Sequence, residues 1–262
     1  MRLFLTQPTL ASGGADDPLA ILKDLLARHG APFRERDLLV LPEHWYPGAD
    51  HDAYLRAAQS VASLAGCHVV AGSQHQVDRK TAVNTGVVVD PSGTVLCRYE
   101  KLRPYALERQ RVRPGTLLGE FELDGKAFAV MVCADFWFSD VFHRLTRLPD
   151  VILVPALSVT RKPSPDYSRA LWRHLACARA YEFGAYVGIS DWSAQSSLAP
   201  LRAAGVAGFA DPTTSQPDAF FRPAEAGFCW VNLDFTALDA FRADRRHRGF
   251  FWNPEAPASS EP

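Results

Sequence analysis

The stretch KAFAVMVCADFWFSD, residues 126–140, decides the fold prediction. Residues 127–132 are continuously apolar, which is typical of a strand buried on both faces of a sheet. Cys133 ends this run, and residues 136–147 have the pattern of a helix. A thiol beside a helix N-terminus lies where the helix dipole favours the thiolate. A lone cysteine is more often a small buried hydrophobe, so its interpretation depends on the residues that accompany it.

Apolar runs of strand length alternate with amphipathic segments along the rest of the chain. Strands are predicted over residues 2–6, 37–41, 67–72, 84–89, 94–99, 120–123, 126–132, 151–154, 185–190, 205–210 and 227–233. Helices are predicted over residues 19–29, 52–65, 136–147, 166–183 and 235–248. This alternation predicts an α/β protein. We expect one domain over residues 1–253, and residues 254–262, rich in Pro, Ser and Ala, as a flexible C-terminal tail.

The composition argues against several classes of function. A net charge of −1 on 262 residues gives no electrostatic case for binding nucleic acid or an anionic membrane. No apolar run is long enough to span a bilayer. The five cysteines contain no CxxC pair, so neither a disulfide framework nor a zinc site is indicated. We therefore expect a cytoplasmic protein without a bound metal.

Three residues with reactive side chains each follow a predicted strand. Glu43 follows DLLVLP, Lys101 follows TVLCRYE, and Cys133 follows KAFAVMV. In α/β sheets, ligands bind beyond the carboxyl ends of the strands, so these three groups are expected to meet there. A glutamate after a strand and a lysine in an Arg-rich loop are also ordinary surface residues. Their spacing alone therefore does not establish a catalytic site.

The chain resembles the nitrilase superfamily of carbon–nitrogen hydrolases. Four segments carry the resemblance, in this order: LLVLPEHWYPG around Glu43, NTGVVVDPSGTVLCRYEKLRPYALE around Lys101, VMVCADFWFSD around Cys133, and LWRHLACARAYEFGAYVGIS over residues 171–190. The similarity extends from residue 2 to about residue 248. It implies a four-layer αββα sandwich of the nitrilase-like kind, and a homodimer or larger homo-oligomer.

The resemblance also implies roles for individual residues. Glu43 is the general base, Lys101 the cation and Cys133 the nucleophile, while Glu108 matches a second glutamate found near the active site of many members. Glu43 would take the thiol proton, and Lys101 with the backbone N–H of Ala134 would hold the oxyanion. The amine would leave a thioester on Cys133 for water to hydrolyse. This chemistry needs no metal and no organic cofactor.

One position departs from part of the family. Several members that act on carboxylate-bearing amides or N-carbamoyl amino acids have an arginine four residues after the nucleophile, where this chain has Trp137. An indole cannot hold a carboxylate as a guanidinium does. With Phe136, Phe138, Trp45 and Tyr46 near the same loops, Trp137 predicts an apolar or aromatic wall of the substrate site. The expected substrate contacts are Ala134, Trp137 and Trp45. Aromatic residues in these places are equally typical of a core or an oligomer interface.

These observations predict a hydrolase that cleaves the C–N bond of a small linear amide. The alternatives are a nitrilase acting on a nitrile and a non-catalytic homologue serving as an interaction module. Nitrilases proper usually have Trp-Glu after the cysteine, whereas Ala134-Asp135 here favours an amide. An interaction module would be expected to have lost one of Glu43, Lys101 or Cys133. An acyltransferase would bring membrane spans, and a papain-like peptidase would need a histidine signature that the sequence lacks.

Overall fold

A computed structural model describes most of the chain. The described residues are 1–9, 20, 23, 32–46, 48–78, 81–198, 201–225 and 227–251. The predicted helix over residues 19–29 lies almost wholly outside them, and so does the predicted tail over residues 254–262.

Strands form most of the regular structure. They are β1 Arg2–Thr6, β2 Leu38–Val40, β3 His68–Val70, β4 Gln74–Asp78, β5 Thr81–Val89, β6 Val95–Glu100, β7 Val112–Arg113, β8 Gly119–Leu123, β9 Lys126–Val130, β10 Val151–Pro155, β11 Val159–Thr160, β12 Tyr186–Ser190, β13 Ser197–Leu198, β14 Leu201–Ala203, β15 Gly208–Ala210, β16 Phe221–Pro223 and β17 Phe228–Asn232. The α-helices are α1 His51–Ala65, α2 Ser139–Phe142, α3 Asp166–Phe183 and α4 Phe235–His247. The 3₁₀ helices are Ala106–Gln110, Cys133–Trp137 and Pro217–Ala219.

The strands form two large sheets and a small one. The first has the order β17-β1-β2-β3-β5-β4, with β6 and β7 also paired to β5, and the second has the order β16-β15-β12-β10-β9-β8. The centre of each sheet is parallel, over β1, β2 and β3 in the first and over β9, β10 and β12 in the second. The third sheet joins β11, β14 and β13.

Two hydrophobic clusters define the layers. The larger one packs the first sheet, through Leu5 and Val40, against the second sheet and α3, through Val130, Ile189 and Ala176. The sheets approach so closely at Gly188 that an added Cβ would lie 2.8 Å from a methyl carbon of Leu5. The smaller cluster packs α1 on the opposite face of the first sheet. The order helix, sheet, sheet, helix confirms the predicted αββα sandwich.

Helix boundaries follow the capping residues. The Asp50 carboxylate accepts hydrogen bonds from the backbone N–H groups of Asp52 and Ala53, which begins α1. Gly66 ends α1 at φ +64°, and Gly184 ends α3 at φ +54°. Both glycines take the left-handed conformation that ends many helices. None of the described helices has the length and apolar character needed to cross a bilayer.

The predicted helix over residues 136–147 is wrong. A 3₁₀ turn, Cys133–Trp137, is followed by one helical turn, Ser139–Phe142, and the extended Phe138 separates them at φ −109° and ψ 116°. Phe136 and Phe142 are both buried, with ring centroids 5.9 Å apart. Packing of these two rings therefore overrides the helical periodicity. The polar strand β4, QHQVD, was not predicted because it contains a single apolar residue; it forms by antiparallel pairing with β5, which begins three residues later in the sequence.

Candidate active site

Glu43, Lys101 and Cys133 lie together just beyond the ends of β2, β6 and β9. The Lys101 Nζ atom is 2.7 Å from Glu43 Oε1, and all three residues line one cavity. Each strand brings one of these residues to the same edge of the sandwich. The convergence expected from the strand ends is therefore present in the structure, while the roles of the three residues remain predictions.

The Glu43 carboxylate is buried and held from several directions. Its Oε1 accepts hydrogen bonds from Lys101 and, at 2.8 Å, from Asn84 Nδ2. Its Oε2 accepts one from the backbone N–H of Leu157 at 3.0 Å. The Glu43 carbonyl accepts a hydrogen bond from Trp192 Nε1 at 2.7 Å. Loops of the second sheet thus fix a carboxylate that the first sheet supplies.

Lys101 bridges two carboxylates. Its Nζ lies 2.7 Å from Glu108 Oε2 as well as 2.7 Å from Glu43 Oε1. Burial alone would lower the lysine pKa, but the charges of Glu43, Cys133 and Glu108 raise it above its ordinary value. Burial would raise the pKa of Glu108, yet hydrogen bonds from His75 and Lys101 lower it. Lys101 and Glu108 are therefore both ionised at neutral pH.

Cys133 has a strained backbone and a neutral thiol. Its φ of +48° is uncommon for a residue with a side chain and is a conformation often found at functional sites. The thiol donates to the Leu157 carbonyl, with an Sγ to O distance of 3.7 Å. Burial and the Glu43 carboxylate raise the pKa of Cys133 well above its usual value, although Lys101 opposes them. The expectation that a helix dipole favours the thiolate is wrong, because only a short 3₁₀ turn begins here.

The cavity has two parts that meet at Cys133. One part, the aromatic chamber, has a volume of about 270 Å³ and is lined by Cys133, Ala134 and the side chains of Tyr105, Trp137, Phe138 and Trp172. The other part, the polar chamber, has a volume of about 180 Å³ and is lined by Cys133 and by Glu43, His44, His75, Lys101, Glu108 and Arg161. Tyr105, Leu157 and Val159 border both chambers. Of the predicted substrate contacts, Ala134 and Trp137 line the aromatic chamber.

The structure does not bring Trp45, the third predicted contact, to either chamber. His44 turns the chain at φ +55°, and Trp45 points into the core beneath α1. Its ring is 1% exposed and lies 6.1 Å from the ring of Tyr54. The packing of Trp45 against α1 therefore makes it a core residue rather than part of the cavity wall.

Three polar residues that support the site were not found by sequence reasoning. Asn84 Nδ2 donates to Glu43 and, at 2.9 Å, to Glu108. Asp135 accepts from the backbone N–H groups of Leu102 and Arg103 at 3.1 and 2.7 Å, and burial raises its pKa to about 7. Asp191 accepts from the Ser158 N–H at 2.9 Å. The available signals were an asparagine within an apolar strand, and acids directly after Ala134 and after β12.

One group of side chains has the spacing of a metal site. The ligand atoms of His44, His75 and Glu108 all lie within 4.8 Å of one another. Burial lowers the pKa of His44 to about 4, so its imidazole is neutral and able to coordinate. Both Glu108 oxygens already accept hydrogen bonds, however, and the Lys101 ammonium lies directly beside them. That charge disfavours a second cation, and we assign no metal to this group.

Comparison with solved structures finds proteins of the same fold. The amidase from Nesterenkonia sp. AN1, in a variant with acrylamide added at its active-site cysteine, superposes with a TM-score of 0.71 at 22% identity, over 96% of this chain and all of that chain. Saccharomyces cerevisiae Nit3, of the nitrilase superfamily, superposes with a TM-score of 0.73 at 18% identity, over 93% of each chain. At these identities the likeness concerns the fold.

Sequence comparison identifies the family. A 2-oxoglutaramate amidase of Bacillus subtilis (strain 168) is 31% identical over 170 residues, which cover 59% of this chain. The chain spans 62% of the length of that relative. The profile of the carbon–nitrogen hydrolases matches residues 20–198, more than half of the chain. The chain therefore belongs to the carbon–nitrogen hydrolase family.

Proposed function

We propose that this protein hydrolyses a small linear amide, with Cys133 as nucleophile, Glu43 as general base and Lys101 as the cation that stabilises the oxyanion. The observation that carries the proposal is the buried Lys101 ammonium, held 2.7 Å from two carboxylates beside a neutral thiol. Burying three charges is costly unless they are paired. A reaction that uses Lys101 and its two carboxylate partners gives a reason for burying these charges beside the thiol.

In the first step the Cys133 sulfur attacks the amide carbon while Glu43 accepts the thiol proton. A neutral thiol is a poor nucleophile, so the adjacent base is required. Lys101 has three N–H donors, of which two reach Glu43 and Glu108; among the described residues the third has no partner, which leaves it for the oxyanion. The N–H of Ala134, the second residue of the 3₁₀ helix Cys133–Trp137, supplies a second donor. Loss of one such donor typically costs about 10²–10³ in rate.

The tetrahedral intermediate then collapses. The C–N bond breaks, Glu43 returns its proton to the leaving nitrogen, and the acyl group remains on Cys133 as a thioester. Glu43 next removes a proton from water, which attacks the thioester and releases the carboxylic acid with a restored thiol. Glu108 stays ionised and positions Lys101 and Asn84 throughout.

The aromatic chamber suggests the acyl part of the substrate. Its walls of Trp137, Phe138 and Trp172 favour an apolar or aromatic group. The Bacillus subtilis relative is named for 2-oxoglutaramate, which has a carboxylate in its acyl part. Several members have an arginine where this chain has Trp137, and because Trp137 lines the aromatic chamber and not the polar one, it argues against a carboxylate in the acyl part here. As in other members of the superfamily, we expect a homo-oligomer.

A panel of neutral amides, acyl-carboxylate amides and nitriles, with release of ammonia or amine as the readout, tests the proposal. We expect Cys133→Ala to reduce hydrolysis by about 10⁴-fold or more. Cys97→Ala is the matched control, since Cys97 is a half-buried free thiol outside both chambers. Full activity of folded Cys133→Ala protein would contradict the proposed role of Cys133 as nucleophile. A strong preference for the acyl-carboxylate amides would contradict the interpretation of Trp137.

A further inference from the structure

The two chambers differ in which half of an amide they can serve. Glu43 must give a proton to the leaving nitrogen, and it lines the polar chamber but not the aromatic one. The nitrogen must therefore lie on the side of the polar chamber when the C–N bond breaks. Because Cys133 borders both chambers, the acyl group then extends into the aromatic chamber. This orientation rests on the proposed function.

The polar chamber is larger than ammonia requires. A water-sized molecule needs about 10–15 Å³ of cavity space, and this chamber offers about 180 Å³. It can thus accept an amine that has a substituent of several heavy atoms. The space by itself favours a secondary amide over a primary amide.

The charges around the chamber indicate what that substituent is. Glu43 and Glu108 both bind Lys101, which leaves Arg161 as a cation on the wall with no carboxylate partner within the described part of the chain. The Arg161 guanidinium carbon lies 5.8 Å from the ring centroid of Tyr105, at the border between the two chambers. By contrast, Arg103 beside the aromatic chamber is paired with Asp140.

We propose that Arg161 binds a carboxylate on the amine half of the substrate, so that the protein cleaves N-acyl amino acids with an apolar or aromatic acyl group. The guanidinium fork matches a carboxylate bidentately. Hydrolysis breaks the amide C–N bond, consumes one water, and releases the amino acid from the polar chamber after Glu43 has protonated its nitrogen. The acyl group leaves the aromatic chamber as a carboxylic acid.

The negative charges of Glu43 and Glu108 do not prevent a substrate carboxylate from binding to Arg161. Glu108 accepts hydrogen bonds from Lys101, Asn84, His75 and the Tyr105 N–H, and Glu43 from Lys101, Asn84 and the Leu157 N–H. Their charge is therefore directed into the protein, toward donors that are already in place. Arg161 is exposed, lines the same chamber and has no carboxylate partner among the described residues.

Matched amides of one acyl group test the assignment. Phenylacetamide, N-propylphenylacetamide, phenylacetylglycine and N-(2-aminoethyl)phenylacetamide all release phenylacetate, which gives a common chromatographic readout. We expect kcat/KM for phenylacetylglycine to exceed that for the propyl amide by about tenfold or more, as a charge-assisted hydrogen bond would provide. Arg161→Gln should reduce this ratio about 10–100-fold, and Arg161→Lys should reduce it less.

Lys162→Gln is the control, because Lys162 is an adjacent cation that lies over the Tyr167 ring, outside the chamber. It should leave the ratio unchanged. If Cys133-dependent hydrolysis occurs without a preference for phenylacetylglycine, or if Arg161→Gln leaves the ratio unchanged, the inference is overturned and the proposed function stands. A preference for the aminoethyl amide would also overturn it.

A binding measurement separates the inference from the chemistry. Calorimetric titration of Cys133→Ala protein with phenylacetylglycine should show binding that the additional Arg161→Gln change weakens about 10–100-fold. If the ligand binds in this way but the unaltered protein does not hydrolyse it, the Arg161 site is supported and the hydrolase proposal is contradicted. Absence of binding would overturn the Arg161 assignment.

Discussion

The two chambers on either side of Cys133 are built in different ways. In the polar chamber the carboxylates of Glu43 and Glu108 and the ammonium of Lys101 are joined by hydrogen bonds of 2.7–2.9 Å, with Asn84 as a shared donor. In the aromatic chamber the wall consists largely of rings, and Trp137 and Phe138 remain 38% and 44% exposed. Under the proposed function, the polar chamber determines the reaction and the aromatic chamber selects the acyl group.

Removing the base should produce the largest effect on this comparison. Glu43→Gln keeps the size of the side chain but cannot accept the thiol proton or activate water. We expect kcat to fall by about 10²–10⁴-fold for every amide, whatever its acyl group. Steady-state kinetics would measure this, with Glu100→Gln, a neighbouring glutamate outside the chambers, as control. A decrease confined to one acyl group would mean that the polar chamber does not determine the reaction.

Glu108→Gln should have a smaller effect within the same chamber. It removes one of the two carboxylates that hold Lys101 and leaves the base in place. A hydrogen bond to a charged group contributes about 1.5–3 kcal/mol, so kcat should fall by about 10–100-fold. The same kinetic assay measures the change. A loss as large as that of Glu43→Gln would give Glu108 a direct part in proton transfer.

Trp137→Ala should have a selective and still smaller effect. Truncating one wall of an apolar pocket typically changes discrimination by about 1–3 kcal/mol, so kcat/KM for phenylacetyl amides should fall about tenfold. Acetamide, which cannot fill the aromatic chamber, should be hydrolysed nearly as before. The control is Trp230→Ala, which removes a similarly exposed tryptophan on β17. Equal losses for both amides would show that Trp137 does not select the acyl group.

Asp135 accepts hydrogen bonds from the backbone N–H groups of Leu102, Arg103 and Val132, and so joins the segments that follow β6 and β9. Its titration should change the free energy of unfolding. Burial raises its folded pKa to about 7 from an ordinary value of 3.8, so the native state binds this proton more tightly than the unfolded state does. Its contribution is therefore favourable at low pH and is lost as the pH rises from about 4 to 7, by up to about 1.4 kcal/mol per unit. Thermal unfolding across this range should show a shallower slope for Asp135→Asn than for the unaltered chain. Parallel slopes would contradict the assignment.

Residues at strand ends were predictable, because an apolar run locates the end of a strand and parallel strands bring their ends together. Glu43, Lys101 and Cys133 belong to this group. The path of residues 133–142 was not predictable, since burial of Phe136 and Phe142 and the hydrogen bonds of Asp135 outweigh local helical periodicity. The same limit applies to Trp45, whose direction depends on the packing of α1. The roles that we propose for Asn84 and Arg161 depend on neighbours distant in sequence.

The central claim is that Cys133 forms a thioester with the acyl half of an amide. Mixing the protein with phenylacetylglycine or phenylacetamide, quenching in acid and mapping the digested peptides by mass spectrometry would test it directly. The account predicts a phenylacetyl group on the peptide that contains Cys133, removable by hydroxylamine and absent from Cys133→Ala protein. Hydrolysis that proceeds while the acyl group is found on another residue, or that persists in Cys133→Ala protein, would contradict the account.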